Sequence, residues 1–138
     1  MKRIMAIDYG DARTGIAISD LLCSLVGSTT VIHSYDPQKT AAEICRLAKQ
    51  NDVGQLVMGF PRNMDGTEGP RAELYRAFAA QVEAASGLPV ALWDERLTTI
   101  AAHQILSAHN YSGKKRKNTV DAVAASLILE GYLSYRHR

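Results

Sequence analysis

Apolar positions fall in short runs early in the chain and at helical spacing later. Ile4-Met5-Ala6-Ile7 is a compact apolar run ending at Asp8, followed by the turn residues Tyr9-Gly10-Asp11 and a second apolar stretch, Thr14–Ser19. Two such runs across a short turn predict a β-hairpin. Val26–His33 carries Thr29, Thr30, Val31 and Ile32, a β-branched cluster that suits a third strand. Asp36-Pro37 then opens a helix, the aspartate as N-cap and the proline at the first position. That helix is expected to reach about Asn51 and to bury Ala41, Ile44, Leu47 and Ala48. Leu56-Val57-Met58-Gly59 reads as a fourth strand, followed by the Gly- and Pro-rich segment Phe60–Pro70. Leu74, Phe78, Val82 and Ala85 recur at three- and four-residue steps, one face of a helix running to about Ser86. Gly87 and Pro89 close it. Val90–Trp93 is a fifth strand, Thr98 or Thr99 to His109 a helix, and a last helix, capped by Asn118 or Thr119, reaches about Tyr135.

The predicted order is β-β-β-α-β-α-β-α-α. Three early strands joined by tight turns run antiparallel, and two later strands reached through helices run parallel to the first. The expectation is an α/β fold of the ribonuclease H-like kind, a mixed five-stranded sheet with helices on both faces. At 138 residues the chain is of single-domain size, so residues 1–138 are read as one domain. Hydrophobic residues at 46% and charged residues at 22% are ordinary for a globular protein. The longest uncharged apolar stretch, Ala122–Leu129, is too short to span a bilayer. Asp8 interrupts the N-terminus too early for a signal-peptide core. The expectation is a cytoplasmic protein with no membrane partner. Cys23 and Cys45 form no CxxC pair and are read as reduced thiols, at least one of them in the core.

The net charge of +2 decides little; its distribution decides more. Six of the 16 Lys and Arg residues lie after position 110, against two of the 14 acids. Most of that surplus is the run Lys114-Lys115-Arg116-Lys117.

Three acids stand out by position. Asp8 ends an apolar strand and shares a face with Ile4 and Ala6. Glu95 follows the fifth strand, where alternation groups it with Ala91 and Trp93 and sends Asp94 with Leu92 to the other side. Asp121 opens a helix whose later residues are almost all apolar. Parallel strands direct their carboxyl ends to one edge, where ligand sites form in open α/β sheets. Asp8 and Glu95 sit together there if strands one and five are close or are separated by only the fourth, and the start of a helix laid across the sheet brings Asp121 alongside. Crowded carboxylates raise one another's pKa unless a cation neutralises them. An all-oxygen set suits Mg²⁺ or Mn²⁺ rather than zinc. Two such ions clamp the attacking and leaving oxygens of a phosphodiester displacement. Singly, each acid reads equally well as a loop residue or, for Asp121, as a helix-dipole partner.

Several segments together resemble the YqgF/RuvX family. They are Ala6-Ile7-Asp8-Tyr9-Gly10 with Arg13-Thr14-Gly15-Ile16-Ala17; Val57–Pro61 with Asn63–Glu68; Asp94–Thr99; and Lys117, Val120-Asp121-Ala122, Ala124-Ala125 and Ile128-Leu129. The resemblance spans essentially the whole chain. It implies a fold similar to that of Holliday-junction resolvases and a nuclease that helps mature the 5′ end of the precursor of 16S ribosomal RNA. It also implies that Asp8, Glu95 and Asp121 are the active-site acids, the same trio that topology singles out.

Other residues supply candidate contacts. Arg62 and Asn63, in a loop longer than ordinary strand-to-helix connections, are placed to touch a sugar–phosphate backbone. Arg96 is placed either to steady a carboxylate or transition-state charge or to form a surface salt bridge. Lys114, Lys115, Arg116 and Lys117 are read as a loop that clamps phosphates, since phosphate contacts dominate non-specific nucleic-acid affinity. Gly10 and Gly15 permit either a plain hairpin turn or close approach of a ligand backbone. Three functions compete. The first is a metal-dependent endonuclease hydrolysing structured RNA, the pre-rRNA itself or ribosomal particles, or else branched DNA, as monomer or homodimer. The second is a non-catalytic RNA- or ribosome-binding module. The third is an ATP-binding kinase-like protein, suggested by Asp8-x-Gly10 and disfavoured because the chain leaves no room for a second lobe.

Overall fold

The computed structural model describes residues 2–61, 68–94 and 113–136, with side chains in the last stretch described from Val120 onward. The strands are β1 (Arg3–Asp8), β2 (Arg13–Ser19), β3 (Val26–His33), β4 (Val53–Phe60) and β5 (Val90–Asp94). The helices among these residues are α1 (Pro37–Gln50), α2 (Ala72–Ser86) and α3 (Gly113–Arg136). The expected helix from Thr98 or Thr99 to His109 lies outside the described residues.

The sheet order is β3-β2-β1-β4-β5. β1–β2 and β2–β3 are antiparallel, β1–β4 and β4–β5 parallel. This is the mixed sheet that the strand connections predict. β1 is central, and Ile4, Met5, Ala6 and Ile7 are all buried. A strand covered on both faces reads as an unbroken apolar run rather than an alternating one, which is why its sequence shows no alternation.

Each face has its own core. Met5, Ile7, Leu56, Met58 and Phe60 pack with Ile44 of α1 and Phe78 and Val82 of α2. On the opposite face Ile4, Ala6, Ala17 and Val57 meet Ala125, Ile128, Leu129 and Leu133 of α3, with Ala91 and Trp93 alongside. Helices therefore cover both faces. α1 starts as expected: the Asp36 carboxylate accepts from the Gln38 amide at 2.9 Å, with Pro37 next.

Two expectations need correction. The buried face of α2 is Ala72, Tyr75, Phe78, Ala79 and Val82, whereas Leu74 and Ala85 face solvent. The aromatic Tyr75 seats under the β1–β2 turn and rotates the contact stripe by one residue from the aliphatic one. The last helix also begins at Gly113, not at Asn118 or Thr119. The backbone of Lys114–Lys117 is thus helical rather than a loop. Lys and Arg propagate a helix almost as well as alanine, and no Pro intervenes between Gly113 and the apolar segment. Both cysteines are free thiols, Cys23 buried and Cys45 half-buried. No described helix is long and apolar enough to cross a membrane.

Candidate active site at the carboxyl edge of the sheet

β1, β4 and β5 point their carboxyl ends to the same edge, finishing at Asp8, Phe60 and Asp94. Only β4 separates β1 from β5, so the strands ending at Asp8 and Asp94 finish at one edge. Glu95 itself lies outside the described residues, as do Arg62, Asn63 and Arg96. Side chains of Lys114, Lys115, Arg116 and Lys117 are likewise not described. Asp94 pairs with Phe60 in register and is exposed, one position on from Trp93, which packs against α3. By alternation it points away from the α3 face, as expected.

Asp8 is half-buried and continues the Ile4–Ala6 face toward α3. Its cross-strand partner is Gly15, so their Cα atoms are about 4.5–5.5 Å apart. A Cβ on Gly15 would lie 2.1 Å from the Asp121 carbonyl oxygen. No side chain fits there, and the missing one lets α3 rest its first described turn directly on β2. Asp8 and Asp121 are thereby brought to one corner of one face. Gly15 thus serves helix contact rather than approach of a ligand. Gly10 is a turn glycine: a Cβ there would meet the Arg13 carbonyl oxygen at 2.3 Å.

Arg13 Nε donates to Asp121 Oδ2 at 2.9 Å, the arginine side chain 34% and the aspartate 18% exposed. Burial pushes the Asp121 carboxyl above its ordinary pKa, and the charges of Arg13 and His33 pull against that rise. Arg13 and His33 face each other across β2 and β3. The turn after Asp8 is held from the other side. Tyr75 donates its hydroxyl to the Tyr9 carbonyl at 2.7 Å, the Tyr9 ring stacks on Phe78 with centroids 3.8 Å apart, and Arg71 pairs with Asp11 at 3.2 Å.

Sequence reasoning named Asp8 and Asp121 and passed over Arg13, whose side chain is bonded to Asp121. The signal was available: counting back from Gly15 by two keeps the same face, so Arg13 had to project on the side of Asp8 and α3. Among the described residues no three His, Cys, Asp or Glu side chains converge tightly enough to hold a metal. Asp8 and Asp121, carried on a strand and a helix that approach each other at Gly15, are both half-buried and offer oxygen donors alone, which suits a hard divalent cation.

Fold and site together define an α/β domain of the ribonuclease H-like class with acids at the carboxyl edge of its sheet. In overall shape it is similar to Thermus thermophilus RuvC in complex with a Holliday junction substrate, with a TM-score of 0.58, 13% identity and coverage of 99% of this chain and 96% of that one. It is also similar to the Fowlpox virus resolvase in complex with Holliday junction DNA, with a TM-score of 0.57, 11% identity and 99% of both chains covered. At such identities the likeness is one of fold. The sequence profile described as RuvX, Holliday junction resolvase, matches residues 2–135. A protein of Halothermothrix orenii named "Putative pre-16S rRNA nuclease" is 43% identical over 99% of this chain and 97% of its own length. One of the same name from Carboxydothermus hydrogenoformans is 40% identical over 99% of both. The chain belongs to the RuvX family, a nuclease family.

Proposed function

We propose that this protein is a divalent-metal-dependent endonuclease that hydrolyses phosphodiester bonds of structured RNA, in the maturation of the 5′ end of the 16S ribosomal RNA precursor. The observation that supports the reading is the contact of the Asp121 backbone with Gly15, the cross-strand partner of Asp8, at the carboxyl edge of β1. The names of the full-length relatives supply the substrate class.

Asp8, Glu95 and Asp121 would hold the ions; Mg²⁺ or Mn²⁺ suits the oxygen donors. Bound there, a pair of such ions supplies an activated water and a stabilised leaving oxygen. The chain's own work is to fix the acids before substrate arrives. Gly15 lets α3 set Asp121 against β2, and the clamp of Tyr75 on the Tyr9 carbonyl holds the residue that follows Asp8. Arg62, Asn63, Arg96 and the Lys114–Lys117 run contribute contacts to the sugar–phosphate backbone. The basic run is carried on the same helix as Asp121, from four to seven residues ahead of it.

Asp8→Asn tests the reading directly. It keeps the shape of the side chain and removes its charge. Cleavage of a pre-16S leader RNA should fall below detection while the melting temperature stays within a few degrees of the parent. Full activity in that variant, with contaminating nucleases excluded, would discard the mechanism. If the unaltered protein binds RNA and cuts only branched DNA, the resolvase-like alternative replaces the RNA assignment.

A further inference from the structure

Arg13 is tied to Asp121 through Nε. Among the described residues no acceptor meets the two terminal nitrogens, and the side chain remains one-third exposed. Anchoring at Nε fixes the plane of the guanidinium and leaves N–H groups of the terminal nitrogens for a further acceptor. Such a preset fork matches two non-bridging oxygens of a phosphate, and planar bidentate recognition is where Arg surpasses Lys. Arg13 also starts β2 on the face of Gly15 and Asp8, beside the acid corner, with exposed His33 opposite it in register.

We propose that Arg13 is a substrate-phosphate ligand: Asp121 orients it through Nε, and its outer N–H groups hold the nucleic-acid backbone against the acid edge. The assignment rests on the nuclease reading above, and it gives Asp121 a second task as the positioning partner of the arginine. An arginine that merely neutralised a half-buried acid would not need to present its fork to solvent.

The test separates this from a structural role. Binding of a fluorescein-labelled hairpin RNA is measured in EDTA, where nothing is cleaved, across a series of KCl concentrations. Each phosphate contact contributes about one unit to the slope of log K against log salt. Arg13→Met should weaken binding about tenfold and lower that slope by about one. Arg13→Lys should keep the slope, because it keeps a charge at the phosphate. Removing Arg13 alone strands the Asp121 carboxylate, so the comparison is repeated in the Asp121→Asn background. There Asp121→Asn/Arg13→Met should again lose about one unit of slope relative to Asp121→Asn. An unchanged slope in both Met variants, with normal binding by the parent, would overturn the assignment of Arg13 and leave the nuclease reading standing. Failure of the parent protein to bind the hairpin at all would overturn the nuclease reading itself.

Discussion

Asp121 carries opposing demands in one side chain. Burial raises its carboxyl pKa despite the charges of Arg13 and His33. A carboxyl whose folded pKa lies above its unfolded value favours the folded state most when protonated. Stability is therefore lost as pH rises from the unfolded pKa through the folded one, the reverse of a salt-bridged acid whose pKa is depressed. Asp121→Asn removes that dependence. In the metal-free protein its stability relative to the parent should improve steadily from about pH 4 upward, read as melting temperature by calorimetry, although the variant loses cleavage. A gain that shrank with rising pH would mean that Arg13 outweighs burial. Asp8 and Asp121 draw attention in the sequence because each borders an apolar run, Ile4–Ile7 before the one and Ala122–Leu129 after the other. Arg13 could not be picked as readily, since a lone arginine at a strand start is ordinary and its Nε-anchored pose exists only once α3 is in place.

At the level of elements, the contact between β2 and α3 decides whether the acids meet. Gly15→Ala places a methyl 2.1 Å from the Asp121 carbonyl oxygen, backbone against backbone, so one element must move. The variant should lose about 1–3 kcal/mol by urea unfolding, the usual cost of overpacking, and its cleavage should fall further than its stability, because the displaced residue is Asp121. An alanine variant that cleaves normally would show that α3 can shift without disturbing the acids. Strand order and the capped start of α1 followed from local signals: β-branched clusters, tight turns, and Asp36 before Pro37. The stripe of α2 did not. Tyr75 is chosen over Leu74 by a partner far away in sequence, the Tyr9 carbonyl, and periodicity cannot see tertiary partners. The start of α3 was missed for a related reason, since Asn118 and Thr119 look like caps although the chain is already helical from Gly113.

For the whole molecule, the two faces of the sheet divide the labour. α1 and α2 build one core and α3 builds the other, so the candidate site lies where α3 approaches the carboxyl end of β1. On the proposed reading, nucleic-acid binding depends on cations of the chain, and bond cleavage depends on ions recruited by its acids. Removing divalent metal with EDTA should abolish cleavage and leave RNA binding within about threefold, with its steep salt dependence intact. Cleavage that persisted in EDTA would refute metal dependence, and binding that vanished with the metal would mean that the ions, rather than the side chains, bridge to the phosphates.

The grip of α2 on the residue after Asp8 has a consequence for endurance. The phenol of Tyr75 and the stacked ring of Phe78 belong to a helix on the far side of the sheet, yet they brace the residue that follows Asp8. On the proposed reading, fraying of that helix under heat would blunt cleavage before the strands themselves part, tying working lifetime to a segment on the face opposite α3.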